Sequence, residues 1–235
     1  MNLKNTVVVV TWASEGIGEQ IALRLASEGV SLALVARNEA RLEEVSSQAM
    51  KLGAKEVKIY PTDLSQTDVL SGLAEKITSD FGKIDVLINN AGIWQKMMQL
   101  DEIEASRIDP IIATNLSAVV HLTHSILPHL RTRPEAAILN IVSQSWVVAQ
   151  GGQSIYTATK YGVRWFTDVL KWDLKESNVR VAGVYQAGTR TKMFENTWET
   201  MPLEKFADPA DLADIICYML SQPPKIWMHE VRVTY

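Results

Sequence analysis

Two side chains about one helical turn apart could carry acid–base chemistry in this chain. Tyr156 and Lys160 lie in a stretch of helical periodicity, and their spacing places the hydroxyl and the ammonium on one helix face. An unperturbed phenol has a pKa of about 10 and is a poor acid–base group at neutral pH, but a neighbouring cation favours the phenolate. The pattern predicts a lowered pKa for Tyr156 and a role in proton transfer. Taken alone, such a pair is also typical of an exposed helix surface.

A serine upstream of this pair favours the catalytic interpretation. Ser143 is predicted at the carboxyl end of a strand. Its hydroxyl could donate a hydrogen bond to a substrate carbonyl oxygen and stabilise the charge that develops there. We therefore treat Ser143, Tyr156 and Lys160 as one candidate site.

The loop between the first predicted strand and the first predicted helix contains two glycines, Gly16 and Gly18. Glycines at such a turn let the backbone approach a pyrophosphate, which then lies against the positive end of the helix. The motif alone is weak evidence, because a helix start that requires small residues looks the same. Its place in the first strand–helix–strand unit favours a dinucleotide site. The candidate contacts here are Thr11, Ser14, Gly16, Ile17 and Gly18.

The end of the second predicted strand indicates which dinucleotide is bound. An acidic residue there would bind the adenosine ribose hydroxyls of NAD, whereas an arginine can pair with a 2′-phosphate. The first polar residue after this strand is Arg37. We therefore expect NADP(H) rather than NAD(H). The alternative is a solvated arginine near a helix start.

Short apolar runs alternate with stretches of helical period along the whole chain. The predicted strands are Thr6–Thr11, Ser31–Ala36, Val57–Tyr60, Asp85–Asn89, Ala136–Val142, Val179–Tyr185 and Glu230–Thr234. The predicted helices are Gly16–Gly29, Glu39–Leu52, Gln66–Phe81, Ile108–Leu130 (ending near Pro128), Ser154–Glu176 and Pro209–Ser221. The alternation predicts an α/β fold, a single Rossmann-type doubly wound parallel sheet over residues 1–235, with helices on both faces. Such sheets bind ligands at the carboxyl ends of their strands, where the winding reverses.

The composition excludes several other classes of protein. Of 235 residues, 47% are hydrophobic and 21% charged, which excludes disordered and fibrous chains. The net charge is −4 and no basic run occurs, so we expect neither nucleic acid nor membrane as a partner. We expect no window to approach the roughly 20 apolar residues of a membrane span. The single cysteine, Cys217, cannot form an internal disulfide, which fits a cytoplasmic location.

Taken together, the motifs resemble those of the short-chain dehydrogenase/reductase family. The resemblance extends from Thr6 to Thr234. It rests on the loop Thr11–Gly18, Asp63, Leu64, Asn89–Gly92, Asn115, Ser143, Tyr156, Lys160, Thr189 and Thr191. It implies an enzyme that interconverts a ketone or aldehyde and an alcohol by hydride transfer with NADP(H), the hydride chemistry belonging to the cofactor.

The resemblance also implies a role for each catalytic residue. Tyr156 would give a proton to the carbonyl oxygen in reduction and accept it in the reverse direction. Ser143 would orient and polarise the carbonyl. Lys160 would hold the nicotinamide ribose hydroxyls and lower the pKa of Tyr156. Asn115 would kink its helix and hold a water that links Lys160 to solvent.

Further residues would hold the cofactor, again by resemblance. Asn89 to Gly92 would pin the central sheet, and Gly92 is counted with the cofactor contacts. The remaining contacts would be Asp63 and Leu64 at the adenine ring, Asn90 on the adenosine side, and Thr189 and Thr191 at the nicotinamide carboxamide. No metal site is expected, because the helical histidines His121, His124 and His129 have no further suitable ligand nearby.

The chain departs from the family pattern mainly through tryptophans. Trp12, Trp94, Trp146 and Trp165 occupy positions where the family has glycine or a small residue, and Gln186-Ala187 replaces a Pro-Gly pair. Trp12 replaces the first glycine of the loop, so backbone strain and bulk are both expected. Its indole would either fill cofactor space or swing outward. Two explanations remain: a natural member with an aromatic pocket, or an altered chain on a family scaffold. The rival function is thus an impaired or engineered scaffold whose cofactor site is blocked by Trp12.

Partners and substrate are expected only in outline. By resemblance, the helices 108–130 and 154–176 would form a homodimer or homotetramer. The substrate-shaping loops would be Trp94–Asp101, Trp146–Gln153 and Lys192–Lys205, with Phe194–Met201 acting as a lid. Their aromatic and methionine content suggests a small carbonyl or alcohol substrate that is apolar and flat.

Overall fold

A computed structural model describes residues 1–144, 151–193 and 203–234 and shows a seven-stranded sheet. The strands are β1 (Val7–Thr11), β2 (Ser31–Ala36), β3 (Glu56–Pro61), β4 (Val86–Asn89), β5 (Ala136–Ile141), β6 (Val179–Gln186) and β7 (Glu230–Val233). Their order is β3–β2–β1–β4–β5–β6–β7, and each neighbouring pair is parallel. The predicted doubly wound parallel sheet is confirmed.

Helices cover both faces of the sheet. They are α1 (Gly16–Ala26), α2 (Glu39–Leu52), α3 (Leu70–Phe81), α4 (Ile108–Ile112), α5 (Ala118–Arg131), α6 (Ser154–Asp173) and α7 (Pro209–Ser221). One core cluster joins the sheet to α1, α2 and α7, and a second joins it to α3, α5 and α6. Every residue of β1 is buried, as expected for an apolar strand with helices on both sides.

The winding of the sheet reverses between β1 and β4, which lie side by side at its centre. A series of buried side-chain hydrogen bonds links the next pair of strands, β4 and β5. Asn89 Nδ2 donates to Asn140 Oδ1 at 2.8 Å and to Thr123 Oγ1 at 3.0 Å, and Asn140 Nδ2 donates to Thr167 Oγ1 at 2.8 Å. These hydrogen bonds join α5, β4, β5 and α6, and so connect the elements that carry the candidate residues.

The long helix predicted over Ile108–Leu130 differs from the expectation in two ways. It is interrupted by a π-helical turn, Ala113–Ser117, between α4 and α5. It also does not stop near Pro128, because α5 continues to Arg131 with Pro128 inside it. Pro128 and His124 are both exposed. Water can therefore reach the His124 carbonyl that the proline leaves without a helical donor.

The boundaries of other elements shift by a few residues. The helix predicted to end at Glu176 ends at Asp173, and the region predicted as Gln66–Phe81 begins with a 3₁₀ turn before α3. The strands agree within one residue at each end.

One stretch needs a correction on membrane spans. Within the described residues, Ala105–Arg131 is long and apolar enough by length and composition to cross a membrane. Core helices of water-soluble proteins pass the same test, so the finding is weak evidence. Here its apolar residues Ala118, Leu122 and Ile126 belong to the core cluster under the sheet.

Candidate active site at the carboxyl ends of the strands

Tyr156 and Lys160 lie on the first turns of α6, and both side chains are buried. The Lys160 Nζ is 5.8 Å from the centre of the Tyr156 ring, so the two groups share one helix face as their spacing predicts. Nζ also donates to the Ile141 carbonyl at 3.3 Å. That contact holds the ammonium against the last residue of β5.

Ser143 follows β5 and is half-buried. Its side chain forms a hydrogen bond with the Tyr156 hydroxyl. The structure therefore brings together the three residues that the sequence nominated for proton transfer. The two hydroxyls lie at the carboxyl edge of the sheet, where a ligand was expected.

The protonation states differ from the expectation. Burial raises the pKa of Tyr156 to about 12, although the hydrogen bond with Ser143 acts in the opposite direction. Burial also lowers the pKa of Lys160 to about 8. The prediction that Lys160 brings the pKa of Tyr156 down is wrong for this chain, because desolvation of the phenolate outweighs the favourable interactions. The phenol is therefore a protonated donor at neutral pH.

Asn115 lies in the π-helical turn and is fully buried. Its Oδ1 accepts from the Ile93 N–H at 2.7 Å, and its Nδ2 donates to the Ile93 carbonyl at 3.0 Å. Nδ2 also lies 3.3 Å from Thr159 Oγ1. The expected helix distortion at Asn115 is confirmed, and the side chain ties this turn to the segment after β4.

Gly92 explains how closely these groups approach one another. A Cβ added to Gly92 would lie 3.3 Å from Lys160 Nζ and 3.7 Å from Asn115 Oδ1. A larger side chain would therefore crowd the ammonium.

Two residues of the segment after Gly92 contact Tyr156, and the sequence motifs predicted neither contact. The ring of Trp94 packs edge-on against the Tyr156 ring, with centroids 4.6 Å apart and planes at 62°. Gln95 is buried and accepts hydrogen bonds from the backbone N–H groups of Ile155 and Tyr156. Trp94 was noted as an unusual residue, but nothing in the sequence links Gln95 to a helix far along the chain.

The glycine loop connects β1 to α1. Gly16 has a φ of +59°, and a Cβ there would lie 3.1 Å from Thr191 Cγ2. A Cβ on Gly18 would lie only 2.1 Å from the Trp12 carbonyl oxygen. Gly16 is therefore favoured by its left-handed backbone conformation, and Gly18 by the close approach of the Trp12 backbone. The start of α1 is not capped by the side chain of Glu15, and Ser14 and Ile17 are half-buried nearby.

Thr11 links the loop to the neighbouring strand. Its Oγ1 accepts from the N–H groups of Asn90 at 2.8 Å and Ala91 at 3.1 Å, and lies 3.3 Å from the Ile88 carbonyl. The Asn90 side chain donates to the Thr11 carbonyl at 3.1 Å. Thr11 and Asn90 therefore join β1 to β4, the two strands between which the winding of the sheet reverses.

Trp12 adopts the left-handed backbone conformation that its position demands, with a φ of +51°. The expected strain at this residue is confirmed, since a tryptophan rarely adopts this conformation. Its half-buried ring packs against the core cluster that includes Leu64 and Ala91. The indole therefore lies on the sheet face that carries α3 and α5.

The expected adenosine-side residues follow β2, β3 and β4. Arg37, after β2, is exposed and forms no hydrogen bond or ion pair within the described part of the chain. Asp63, after β3, accepts from the backbone and hydroxyl of Ser65 at 3.0 and 2.8 Å, and Leu64 is buried. These residues share the carboxyl edge with Asn90 because their strands are parallel.

Thr189 and Thr191 follow β6. Thr189 is buried and pairs with Ala207 in an isolated bridge. Thr191 is half-buried, accepts from the Met193 N–H at 3.4 Å and faces the glycine loop at Gly16. The structure thus brings the segment after β6 to the loop after β1.

Some predicted residues do not belong to this group or lie outside the described residues. Trp165 is 64% exposed on α6 and does not line the site. Trp146 and Phe194–Met201 fall outside the described ranges. Among the residues that are described, no group of three or more histidine, cysteine or acidic residues could hold a metal ion.

Comparison with known proteins assigns this chain to one family. The sequence matches the short chain dehydrogenase family over residues 6–202. The chain belongs to that family and is an oxidoreductase.

Relatives and solved structures cover nearly the whole chain. An uncharacterized oxidoreductase of Staphylococcus saprophyticus subsp. saprophyticus is 30% identical over 234 residues, which is 99% of this chain and 98% of that protein. The X-ray structure of an alcohol dehydrogenase from the archaeon Thermococcus sibiricus, complexed with 5-hydroxy-NADP, is 27% identical with a TM-score of 0.89 and covers 97% of this chain and 96% of that chain. A metagenomic short-chain oxidoreductase in complex with NADP is 27% identical with a TM-score of 0.85, covering 100% of both chains.

Proposed function

We propose that this protein interconverts a ketone or aldehyde and an alcohol with NADP(H), using Tyr156 as the general acid and base. The observation that carries the proposal is the buried group at the carboxyl edge of the sheet. The Tyr156 hydroxyl is hydrogen-bonded to Ser143, and the Lys160 ammonium lies on the same helix face. A structural role alone does not require a desolvated phenol and ammonium beside each other.

The chain's own residues would manage the proton and the carbonyl. A Tyr156 pKa of about 12 keeps a proton on the phenol oxygen at neutral pH, ready for the carbonyl oxygen in the reductive direction. The Ser143 hydroxyl would donate to the same oxygen and orient it. The nicotinamide cofactor, when bound, supplies the hydride. In the oxidative direction the Tyr156 phenolate would accept the proton, and a pKa of about 12 leaves little phenolate at neutral pH.

Lys160 and Asn115 would serve the nicotinamide end of the site. The Lys160 ammonium would hold ribose hydroxyls, and its position beside Gly92 supports this because the glycine leaves its neighbourhood open. Asn115 would hold a water that connects Lys160 to solvent. Thr189 and Thr191 would bind the carboxamide.

The glycine loop fits a dinucleotide. Gly16 has a positive φ, Gly18 has no room for a Cβ, and the start of α1 lacks a side-chain cap from Glu15, so its N–H groups suit a pyrophosphate. Asp63, Leu64 and Asn90 would surround the adenosine. The neighbours described above bind NADP or a 5-hydroxy-NADP, which supports a nicotinamide cofactor here.

NADP(H) preference is proposed from Arg37. Its guanidinium is exposed and forms no ion pair within the described residues, so it is available to a 2′-phosphate. R37D should reverse the preference towards NADH, because it replaces a phosphate partner with a carboxylate that suits ribose hydroxyls. The measurement is kcat/KM with each cofactor. R131D, at an exposed arginine where α5 ends, is the matched control, and an unchanged cofactor ratio in R37D contradicts the assignment.

A second candidate function rests on Trp12. Its backbone is strained, and its ring packs against the core cluster that includes Leu64, one of the residues expected at the adenine ring. If the indole fills the space for adenine, the protein is an impaired or engineered scaffold. A titration of tryptophan fluorescence with NADPH separates the two functions, because micromolar quenching favours the enzyme and no response at millimolar NADPH favours the scaffold.

A homodimer or homotetramer is proposed from an exposed apolar stripe on α6. Tyr161, Trp165, Val169 and Trp172 recur at helical spacing and are 38%, 64%, 53% and 73% exposed. Such a stripe supports an interface between copies of this chain. Light scattering should detect a multimer that W165E and W172E dissociate, and a monomeric wild type contradicts the proposal.

The catalytic proposal is tested with a panel of carbonyl compounds and NADPH. Y156F removes only the hydroxyl and should lower kcat by about 10² to 10⁴, because it removes the acid. Y218F, at an exposed tyrosine on α7, is the matched control and should behave as wild type. A Y156F variant with wild-type kcat would exclude Tyr156 as the acid.

A further inference from the structure

A buried glutamine after β4 caps the helix that carries Tyr156. The Gln95 side chain is 2% exposed. Its Oε1 accepts from the N–H groups of Ile155 at 3.0 Å and Tyr156 at 2.9 Å, and its Nε2 donates to the Gly152 carbonyl at 2.9 Å. The amide is therefore held at both ends, and its partners lie on or directly before α6.

These bonds replace a cap that the local sequence does not provide. The first N–H groups of a helix have no partner within the helix, and the residue before the helix usually supplies one from its side chain. In α6 that residue is Gln153, and its side chain makes no capping bond. Gln95 binds the N–H groups of the second and third helical residues, and the third is Tyr156 itself.

The same segment also contacts Tyr156 and Gly152 directly. The Trp94 ring packs against the Tyr156 ring, and the Met98 N–H donates to the Gly152 carbonyl at 3.1 Å. Gly152 has a φ of +81°, and a Cβ there would lie 3.1 Å from Met98 N. A glycine therefore lets the segment 94–98 dock closely against the start of α6.

We propose that Gln95 is a positioning residue for Tyr156, because it fixes the backbone from which the phenol reaches the substrate. The proposal rests on the proposed function, in which Tyr156 is the acid. A hydrogen-bonded Tyr156 backbone, a packed ring and a hydroxyl bonded to Ser143 leave the phenol little freedom. Lys160 lies a turn further along α6 and is anchored separately to Ile141. Loss of Gln95 should therefore disturb proton transfer more than cofactor binding.

The first test is Q95M, which keeps the length of the side chain but removes both hydrogen-bonding groups. We expect kcat to fall by about 10- to 100-fold, because small displacements of a reacting group have effects of this size. KM for NADPH should stay within about twofold of wild type, since Lys160 keeps its own anchor. Hydrogen exchange at the Ile155 and Tyr156 amides should be faster. Q48M, at an exposed glutamine on α2, is the matched control and should change none of these.

A second variant attacks the same contact from the other side. G152A introduces a Cβ against Met98 N, so it should lower kcat with little change in KM for NADPH and speed exchange at the same amides. This variant decides the question if Q95M does not fold. All values are taken per folded molecule, so that a merely structural role, which lowers the melting temperature but leaves kcat per folded molecule intact, gives a different result.

The outcomes separate this proposal from the proposed function. If wild type is active and Y156F inactive, but Q95M or G152A keeps wild-type kcat per folded molecule, the role of Gln95 is overturned and the proposed function stands. If wild type reduces no carbonyl compound with either cofactor, both are overturned. A selective loss of kcat with faster amide exchange supports the proposal.

Discussion

The two halves of the candidate site are held in different ways. Asn115, Tyr156 and Lys160 are buried, and each side chain has partners from another element. On the adenosine side, Arg37 is exposed, and Trp12 occupies a strained backbone conformation. The difference indicates that the fold itself fixes the groups proposed for proton transfer, whereas the loop proposed to hold the cofactor depends on close backbone approach at Gly18. Changes in the first half should act on rate, and changes in the second on affinity and loop stability.

Replacing the buried lysine tests the first half most severely. K160M removes the ammonium and should lower kcat/KM by about 10³-fold, since the proposed ribose contact and the proposed proton path both depend on it. The stability of K160M should fall much less than its activity, because burying an ammonium in the wild-type protein is itself costly. Steady-state kinetics and thermal melting measure both effects. K175M, at an exposed lysine after α6, is the control, and a K160M variant that retains activity contradicts the catalytic assignment.

The pH dependence of the unfolding free energy, compared between wild type and K160M, tests whether the Lys160 ammonium is buried. Burial lowers the pKa of Lys160 to about 8, so the unfolded chain binds more protons than the folded one above that pH. The unfolding free energy of wild type should therefore rise relative to K160M between pH 8 and about 10. The raised pKa of Tyr156, about 12, acts in the opposite direction only above about pH 10. Denaturant titrations at several pH values measure the difference in unfolding free energy between wild type and K160M. A difference that does not change with pH would show that Lys160 is not desolvated.

In the cofactor half, G18A should break the loop. The added Cβ would lie 2.1 Å from the Trp12 carbonyl oxygen, so the backbone must shift, and a loss of about 3 kcal/mol in stability is expected together with weaker NADPH binding. G72A is the matched control, because a Cβ at Gly72 meets nothing within 4 Å and alanine favours the helix. Chemical denaturation and NADPH titration test the pair. Equal stability of G18A and wild type would show that the loop is not tightly packed.

A smaller effect is expected from W12G, which tests whether the Trp12 side chain obstructs NADPH binding. Glycine relieves the strain at a φ of +51° by about 1 kcal/mol and removes the indole. NADPH affinity should rise about 10-fold or more if the ring obstructs the site. Isothermal titration calorimetry measures the affinity, with Y218A, at an exposed aromatic residue on α7, as control. Unchanged affinity would show that the indole does not obstruct the cofactor.

Much of the fold was predictable because the strands are continuous apolar runs. The boundaries of β1, β2 and β5 follow directly from them. The π-helical turn at Asn115 was not visible in helical periodicity, because it accompanies a side chain that bonds to Ile93, far along the chain. A proline read as a stop signal was tolerated at Pro128 because that side of α5 faces solvent.

The site shows the same division. Spacing predicted that Tyr156 and Lys160 share a helix face, since that depends on local geometry alone. Spacing could not predict their pKa values, because those depend on how deeply the surrounding elements bury both groups. The cap from Gln95 was equally hidden, since it joins residues 60 positions apart.

The central claim is that the buried group at Tyr156 reduces a carbonyl with a hydride from NADPH. Its most direct test is transfer of deuterium from NADPH labelled at the nicotinamide C4, followed by mass spectrometry of the alcohol formed from a carbonyl panel. The account predicts deuterium on the former carbonyl carbon with wild type and a strongly reduced yield with Y156F. Tight NADPH binding with no labelled alcohol from any carbonyl compound would contradict it.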